Sequence, residues 1–231
     1  MAGELRMQWW KDSLAAIFDG NPPPQPIAIA LSQAVERHKL TKRWFDRLLD
    51  ARIADLHNPQ LSSIKAMETY AENTASSLLY LMLEIAGVKG KDLDHAAAHV
   101  GKAVGIVTLL RGAPHQLGQE HSVIPSEVLW KHRLYSSVLR KGPKTPEEAH
   151  GIAECFYDVS AVSKGHLDAA QEVVQGLSAD AFHALLPGVR AAWYLEKLEA
   201  CRFDAFDERL QPHSPLGFHL RLAKSIFTQK F

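Results

Sequence analysis

The stretch from Ile64 to Gln116 constrains the fold more than any other, because two long runs of helical periodicity meet there across the turn Gly87-Val88-Lys89-Gly90. In the first run, Ile64 to Ala86, the residues Met67, Ala71, Leu78, Met82 and Ile85 recur at the spacing of one helix face, which predicts a buried apolar stripe. Tyr70, Asn73, Ser77, Tyr80 and Glu84 form a polar line beside that stripe. The second run, Asp94 to about Arg111, turns Val100, Ala103, Val104, Val107 and Leu110 inward, with Asp94 placed to cap its first turn. Ala96, Ala97, Ala98, Gly101, Ala103 and Gly105 keep this helix thin, so a neighbouring helix can approach it closely. A pair of helices with one-sided apolar faces calls for further helices to cover them.

The rest of the chain supplies those helices, and no run of two-residue alternation between hairpin turns interrupts the pattern. Glu4 to Phe18 makes a first helix, which the proline-rich connector Gly20 to Pro26 ends. Pro26 opens a helix to His38, and Thr41 is placed to cap another from Lys42 to about His57. Gly112 to Ser126 is irregular, Ser126 to about Leu134 is helical, and Tyr135 to Pro146 reads as a basic, solvated connector. Thr145-Pro146-Glu147-Glu148 has the cap, the first-turn proline and the acids of a helix start, and that helix runs to about Val174. Ser178 begins a helix to Leu198 that Pro187 is expected to kink, and Pro215 to about Thr228 forms the last one. The fold class is therefore all-α, with a single domain across residues 1–231.

Several function classes fall away on composition. The 231 residues carry a formal net charge of zero, which disfavours general electrostatic attraction to nucleic acid or anionic membrane and leaves only local patches. No apolar run reaches the roughly 18 residues of a membrane span, and the best candidate, Leu78 to Ala86, is broken by Glu84. Cys155 and Cys201 imply neither a disulfide framework nor a zinc motif. Met1 to Asp19 lacks the features of a secretory or transit segment.

Tyr70-Ala71-Glu72-Asn73-Thr74-Ala75-Ser76-Ser77, followed by Gly101-Lys102-Ala103-Val104-Gly105-Ile106-Val107-Thr108-Leu109-Leu110-Arg111, resembles the squalene/phytoene synthase family. The resemblance implies an isoprenoid-synthase-like helical bundle, here lacking its amino-terminal helices, so that the chain is a fragment or a form begun at an internal methionine. In the family the second helix ends in Leu-Arg-Asp-x-x-x-Asp, whose two carboxylates hold Mg²⁺ against a substrate diphosphate. Arg111 is kept here, but Gly112 and Gln116 stand where the aspartates belong, and Pro114 lies between them. No Asp or Glu occurs from His95 through Gln119, so a shifted alignment does not restore the pair. The expectation is a pseudoenzyme with no catalytic residues, metal or cofactor. Tyr70, Asn73, Ser77 and Arg111 would line a vestigial pocket for a lipid or isoprenoid.

The likeness is strongest to non-catalytic members of the family. Leu5-Arg6-Met7-Gln8-Trp9-Trp10-Lys11, Asn21-Pro22-Pro23 and Lys39-Leu40-Thr41-Lys42-Arg43-Trp44 carry it beyond the central helices. It implies a role in assembling mitochondrial respiratory complex I at the matrix side of the inner membrane. The implied partners are complex I subunits or other assembly factors, with peripheral rather than spanning membrane association. A short form without a transit segment would be cytosolic or nuclear. Rival readings are an active prenyl transferase drawing on Glu68 and Glu72, or a plain lipid carrier. Asp46 and Asp50 also have the metal spacing, but Arg43, Arg47 and Arg52 lie within a turn and are expected to neutralise them. His95 and His99, with His115 and His121 in the loop, form a further metal candidate that reads more simply as a surface pair.

Overall fold

The computed structural model describes residues 2–58, 60–116, 122–210 and 215–231. Among these, the regular elements are all helical and no strand is present. The helices are α1 (Ala2–Phe18), α2 (Pro26–His38), α3 (Lys42–His57), α4 (Ile64–Ala71), α5 (Ser77–Ala86), α6 (Lys91–Gly112), α7 (Ser126–Lys131), α8 (Ser136–Lys141), α9 (Pro146–Val174), α10 (Ala179–Leu185), α11 (Pro187–Ala200) and α12 (Pro215–Thr228). A π-turn, Glu72–Ser76, joins α4 to α5 without a break in direction, and a 3₁₀ turn, Ala113–Gln116, follows α6.

Helix α6 is the axis of the bundle. It packs against α4 and the π-turn on one side and against α9 and α11 on the other. Val100, Ala103, Val107 and Leu110 are buried, in line with the periodicity, while Val104 is half-buried and touches both core clusters, and Ile106, outside the expected stripe, is fully buried as well. The small residues do what their size allows. A Cβ added at Gly101 would lie 2.4 Å from the Ser76 Cα, and one at Gly105 would lie 2.8 Å from the Ala71 Cα. The α6 backbone therefore rests directly on the rod formed by α4, the π-turn and α5, and the Ser76 hydroxyl donates to the Ala98 carbonyl across the crossing (3.1 Å).

The π-turn changes which residues of that rod are buried. Met67 and Ala71 are buried as expected, but Leu78, Met82 and Ile85 are 49%, 38% and 49% exposed. Leu79 and Leu83 take their places in the core. A π-turn inserts one residue into the helical register, so everything after it is rotated by about 100° relative to a continuous α-helix. The stripe extrapolated from an unbroken period is thus correct up to Ala71 and displaced by one residue beyond it.

Local chemistry sets most helix starts. The side chains of Gln25, Ser63, Thr145 and Ser178 accept from the backbone N–H three residues on, at 2.8, 3.1, 3.2 and 3.3 Å. Two expected caps differ. Helix α6 begins a turn before Asp94, with Gly90 as N-cap, because Asp92 and Asp94 can both sit in the first turn, where the helix dipole favours acids. The Thr41 side chain makes no capping bond, and its N–H instead donates to Glu84 on α5 (2.9 Å). Pro187 separates α10 from α11 rather than kinking one helix, and the basic connector contains the short helix α8.

Candidate functional site

The polar line on the rod is where α3 docks. Arg47 of α3 donates through Nε and Nη2 to the Asn73 side-chain oxygen at 3.0 and 2.8 Å, and reaches Glu72 at 3.4 Å. Lys102 of α6 pairs with the other Glu72 oxygen at 2.9 Å, so one carboxylate in the π-turn ties three segments together. Burial raises the Glu72 carboxyl, but its bonds with Lys102 and Arg47 outweigh that and hold it below the usual carboxylate range. One turn away, Arg52 donates to the Tyr70 hydroxyl and lies 5.6 Å from its ring centre. At the other end the Trp44 indole donates to Glu84 (3.0 Å) and packs on Tyr80, with Arg43 and Arg47 within 5.5 Å of its ring. Burial raises the hydroxyl pKa of both Tyr70 and Tyr80, so each is held in the protonated form.

The four expected pocket residues occupy three different surroundings. Tyr70 and Asn73 stand together against α3 through Arg52 and Arg47. Ser77 is fully buried, and its hydroxyl has no hydrogen-bond partner among the described residues. Arg111 lies at the far end of α6, near Arg190 and Tyr194 of α11. At 1.5 Å per residue this is about 15 Å along the axis from the point where Gly101 meets Ser76. Beyond Arg111 the helix passes into the 3₁₀ turn that contains Pro114 and Gln116. An added Cβ at Gly112 would meet nothing within 4 Å.

Each pair of acids with metal spacing is engaged by cations or histidine. Asp46 pairs with Lys42 and Asp50 with Lys11, both at 2.7 Å. The lysines, not the neighbouring arginines, take these carboxylates, because Arg47 and Arg52 are turned to the rod. Glu68 accepts from His166 of α9 at 2.8 Å, and the other ring nitrogen of His166 lies 2.9 Å from His99 Nδ1 of α6. In the tautomer that carries its proton on Nε2, His166 donates to Glu68 and its Nδ1 accepts from His99. Burial, and then the neighbouring His166 and His95, lower the His99 pKa to about 4, so its ring is neutral at ordinary pH. His95 packs edge-on against His99, ring centres 4.6 Å apart, while His121 of the four-histidine candidate lies outside the described residues. Among the described residues, no group of three or more His, Cys, Asp or Glu is placed to hold a metal ion.

Two features escaped the sequence. His166 was silent because its partners are 98 and 67 residues away. A groove of about 590 Å³ between α9 and α11, walled by Tyr157, Leu167, Leu195, Phe203 and Phe231, has no local sequence signature either. At its mouth Arg202 and Phe203 both adopt positive φ (55° and 60°), which presents the Phe203 ring edge-on to Tyr157.

Comparison with known proteins settles the family. The profile of the squalene/phytoene synthase family matches residues 1–216. The chain belongs to that family. It is 40% identical over 215 residues to the rat protein named NADH dehydrogenase (ubiquinone) complex I, assembly factor 6, a match spanning 93% of this chain and 63% of that one. The human protein of the same name is 39% identical over the same coverage. The chain thus spans a little under two thirds of the length of these relatives. Its fold superposes on a dehydrosqualene synthase crystal structure with a TM-score of 0.79 at 17% identity, covering 96% of this chain and 77% of the other. The isoprenoid-synthase helical fold is therefore retained at low sequence identity.

Proposed function

We propose that this chain is a non-catalytic member of the squalene/phytoene synthase family that acts in the assembly of mitochondrial respiratory complex I, on the matrix side of the inner membrane. Its partners on this reading are complex I subunits or other assembly factors. The observation that carries the proposal is the identity of about 40%, sustained across 93% of the chain, to proteins named for that role. The geometry supports the non-catalytic part. Two aspartates at i and i+4 share a face only on an α-helix, whereas positions 112 and 116 are separated by a 3₁₀ turn, which places them about 120° apart. Gly112 and Gln116 supply no carboxylate in any case. A Mg²⁺ ion in such an enzyme clamps the substrate diphosphate and activates it as a leaving group. Glu68 and Glu72, the acids a rival active transferase would recruit, are already bonded to His166, Lys102 and Arg47.

The proposal also takes Tyr70, Asn73, Ser77 and Arg111 as remnants of a prenyl site. Mass spectrometry of the natively extracted protein, for bound lipid or isoprenoid, tests it. The assembly role is tested by deleting the gene in its native cells and resolving complex I on native gels. The expected result is loss of the mature complex with other respiratory complexes intact, restored by the wild-type gene and equally by Glu68→Gln. Normal complex I after deletion would overturn the assembly role, and failure of Glu68→Gln to restore it despite normal folding would favour the enzyme reading.

A further inference from the structure

Helix α12 turns one side to the fold and an apolar stripe away from it. Phe218 packs on Trp193 of α11 with ring centres 5.3 Å apart, Arg221 binds Glu196 at 2.7 Å, and Ser225 is buried. These three residues recur at i, i+3 and i+7 and define the inner side. Directly opposite, Leu216, Leu220, Ala223 and Phe227 recur at i, i+4, i+7 and i+11, a stripe about 60° wide at 100° per residue. Leu216, Leu220 and Phe227 are 67%, 65% and 89% exposed. Single exposed leucines are ordinary, but a helical stripe turned squarely away from the core is a binding surface.

Charge selects the occupant. From Pro215 to Phe231 there is no Asp or Glu, while His219, Arg221, Lys224 and Lys230 are present, in a chain whose net charge is zero. Arg221 is occupied by Glu196, which leaves Lys224 beside the stripe and Lys230 beyond its end, both exposed. A narrow apolar stripe flanked by lysine on a convex helix suits insertion into the headgroup region of an anionic bilayer, with the helix axis in the membrane plane. Among the described residues no helix is long and apolar enough to cross a membrane. We propose that α12 is a membrane-docking helix that lays Leu216, Leu220 and Phe227 into an anionic lipid surface. This names a surface for the membrane association proposed above, and its test is independent of complex I.

The test is flotation of the full chain with vesicles of phosphatidylcholine alone and of phosphatidylcholine mixed with phosphatidylglycerol. Binding is expected to the mixed vesicles, to weaken as salt is raised, and to fall at least roughly tenfold in Leu220→Asp/Phe227→Asp. Lys224→Glu should lower binding to mixed vesicles while leaving the circular dichroism spectrum and melting temperature unchanged. Absence of flotation with the mixed vesicles, or flotation indifferent to Leu220→Asp/Phe227→Asp, would overturn the proposal. So would concentration-dependent dimerisation in light scattering that the same double substitution abolishes without vesicle binding, since the stripe would then be a contact between copies of the chain.

Discussion

A single methyl group placed at Gly101 tests the packing that organises the bundle. It would stand 2.2 Å from the Ser76 Oγ and 2.4 Å from the Ser76 Cα. The hydroxyl could rotate away, but the Cα is backbone, so relief requires α6 and the rod to separate by about 1 Å to regain ordinary contact distances. Overpacking of this kind costs about 1–3 kcal/mol, and backbone contact places Gly101→Ala at the upper end. Weakening the Ser76–Ala98 hydrogen bond adds about 1 kcal/mol, while the better helix propensity of alanine returns about 1 kcal/mol. The net loss is about 3 kcal/mol, or about 6–12 °C in melting temperature for a chain of this size. Gly165→Ala is the control, since a methyl there meets nothing within 4 Å and should stabilise by about 0.5–1 kcal/mol. Thermal and urea unfolding followed by circular dichroism measure both. A Gly101→Ala protein as stable as its parent, or more stable, would refute the close crossing.

The displaced register predicts that Leu79→Ala costs about 2–5 kcal/mol and Leu78→Ala less than about 0.5 kcal/mol, by urea titration; equal losses would mean that the helix runs on without the extra residue. Because the folded pKa of His99 is about 4 against an ordinary 6.5, the unfolded chain binds more protons between these values. Stability is therefore full above pH 6.5 and falls as the pH drops toward 4, a slope that His99→Gln should reduce in urea midpoints taken across that window. Glu72 has the same sign through the other mechanism, its stabilisation being present above the ordinary value of 4.5 and lost as pH falls through the lowered folded value; Glu72→Gln should flatten the acid limb of the same titration. Burial pushes the Cys155 thiol up to about 12, so in a Cys201→Ser protein it should resist a disulfide reagent at pH 8 until urea is added, and rapid labelling of the folded protein would contradict its burial.

The all-helical pattern, most of the inner face of α6 and the close approach at Gly101 and Gly105 could be read from the sequence because each depends on local spacing and residue size, whereas α8 and the splits at the π-turn and Pro187 could not. The register of α5 could not, since an extra residue in the π-turn leaves no compositional mark and the period looks unbroken from Met67 to Ile85. The polar line on the rod was legible as a set of residues but not as a docking seam, because Arg47, Arg52 and Trp44 meet it from 18 to 40 positions away. The Glu68–His166–His99 chain was hidden for the same reason, its members lying on three helices that only the bundle brings together. Conversely, that positions 112 and 116 carry no carboxylate is plain from Gly112 and Gln116 alone, and the structure adds the change from α to 3₁₀ geometry between those positions.

The central claim is that this family member assembles rather than catalyses, and its most direct test is Mg²⁺-dependent pyrophosphate release from farnesyl and geranylgeranyl diphosphate. The chain is to be assayed alone and extended to the full length of its relatives. No release above the protein-free rate is expected from either, with or without Mg²⁺. Release by either that requires Mg²⁺ and is abolished by Glu68→Gln or Glu72→Gln would contradict the account and make the chain part of a working prenyl transferase.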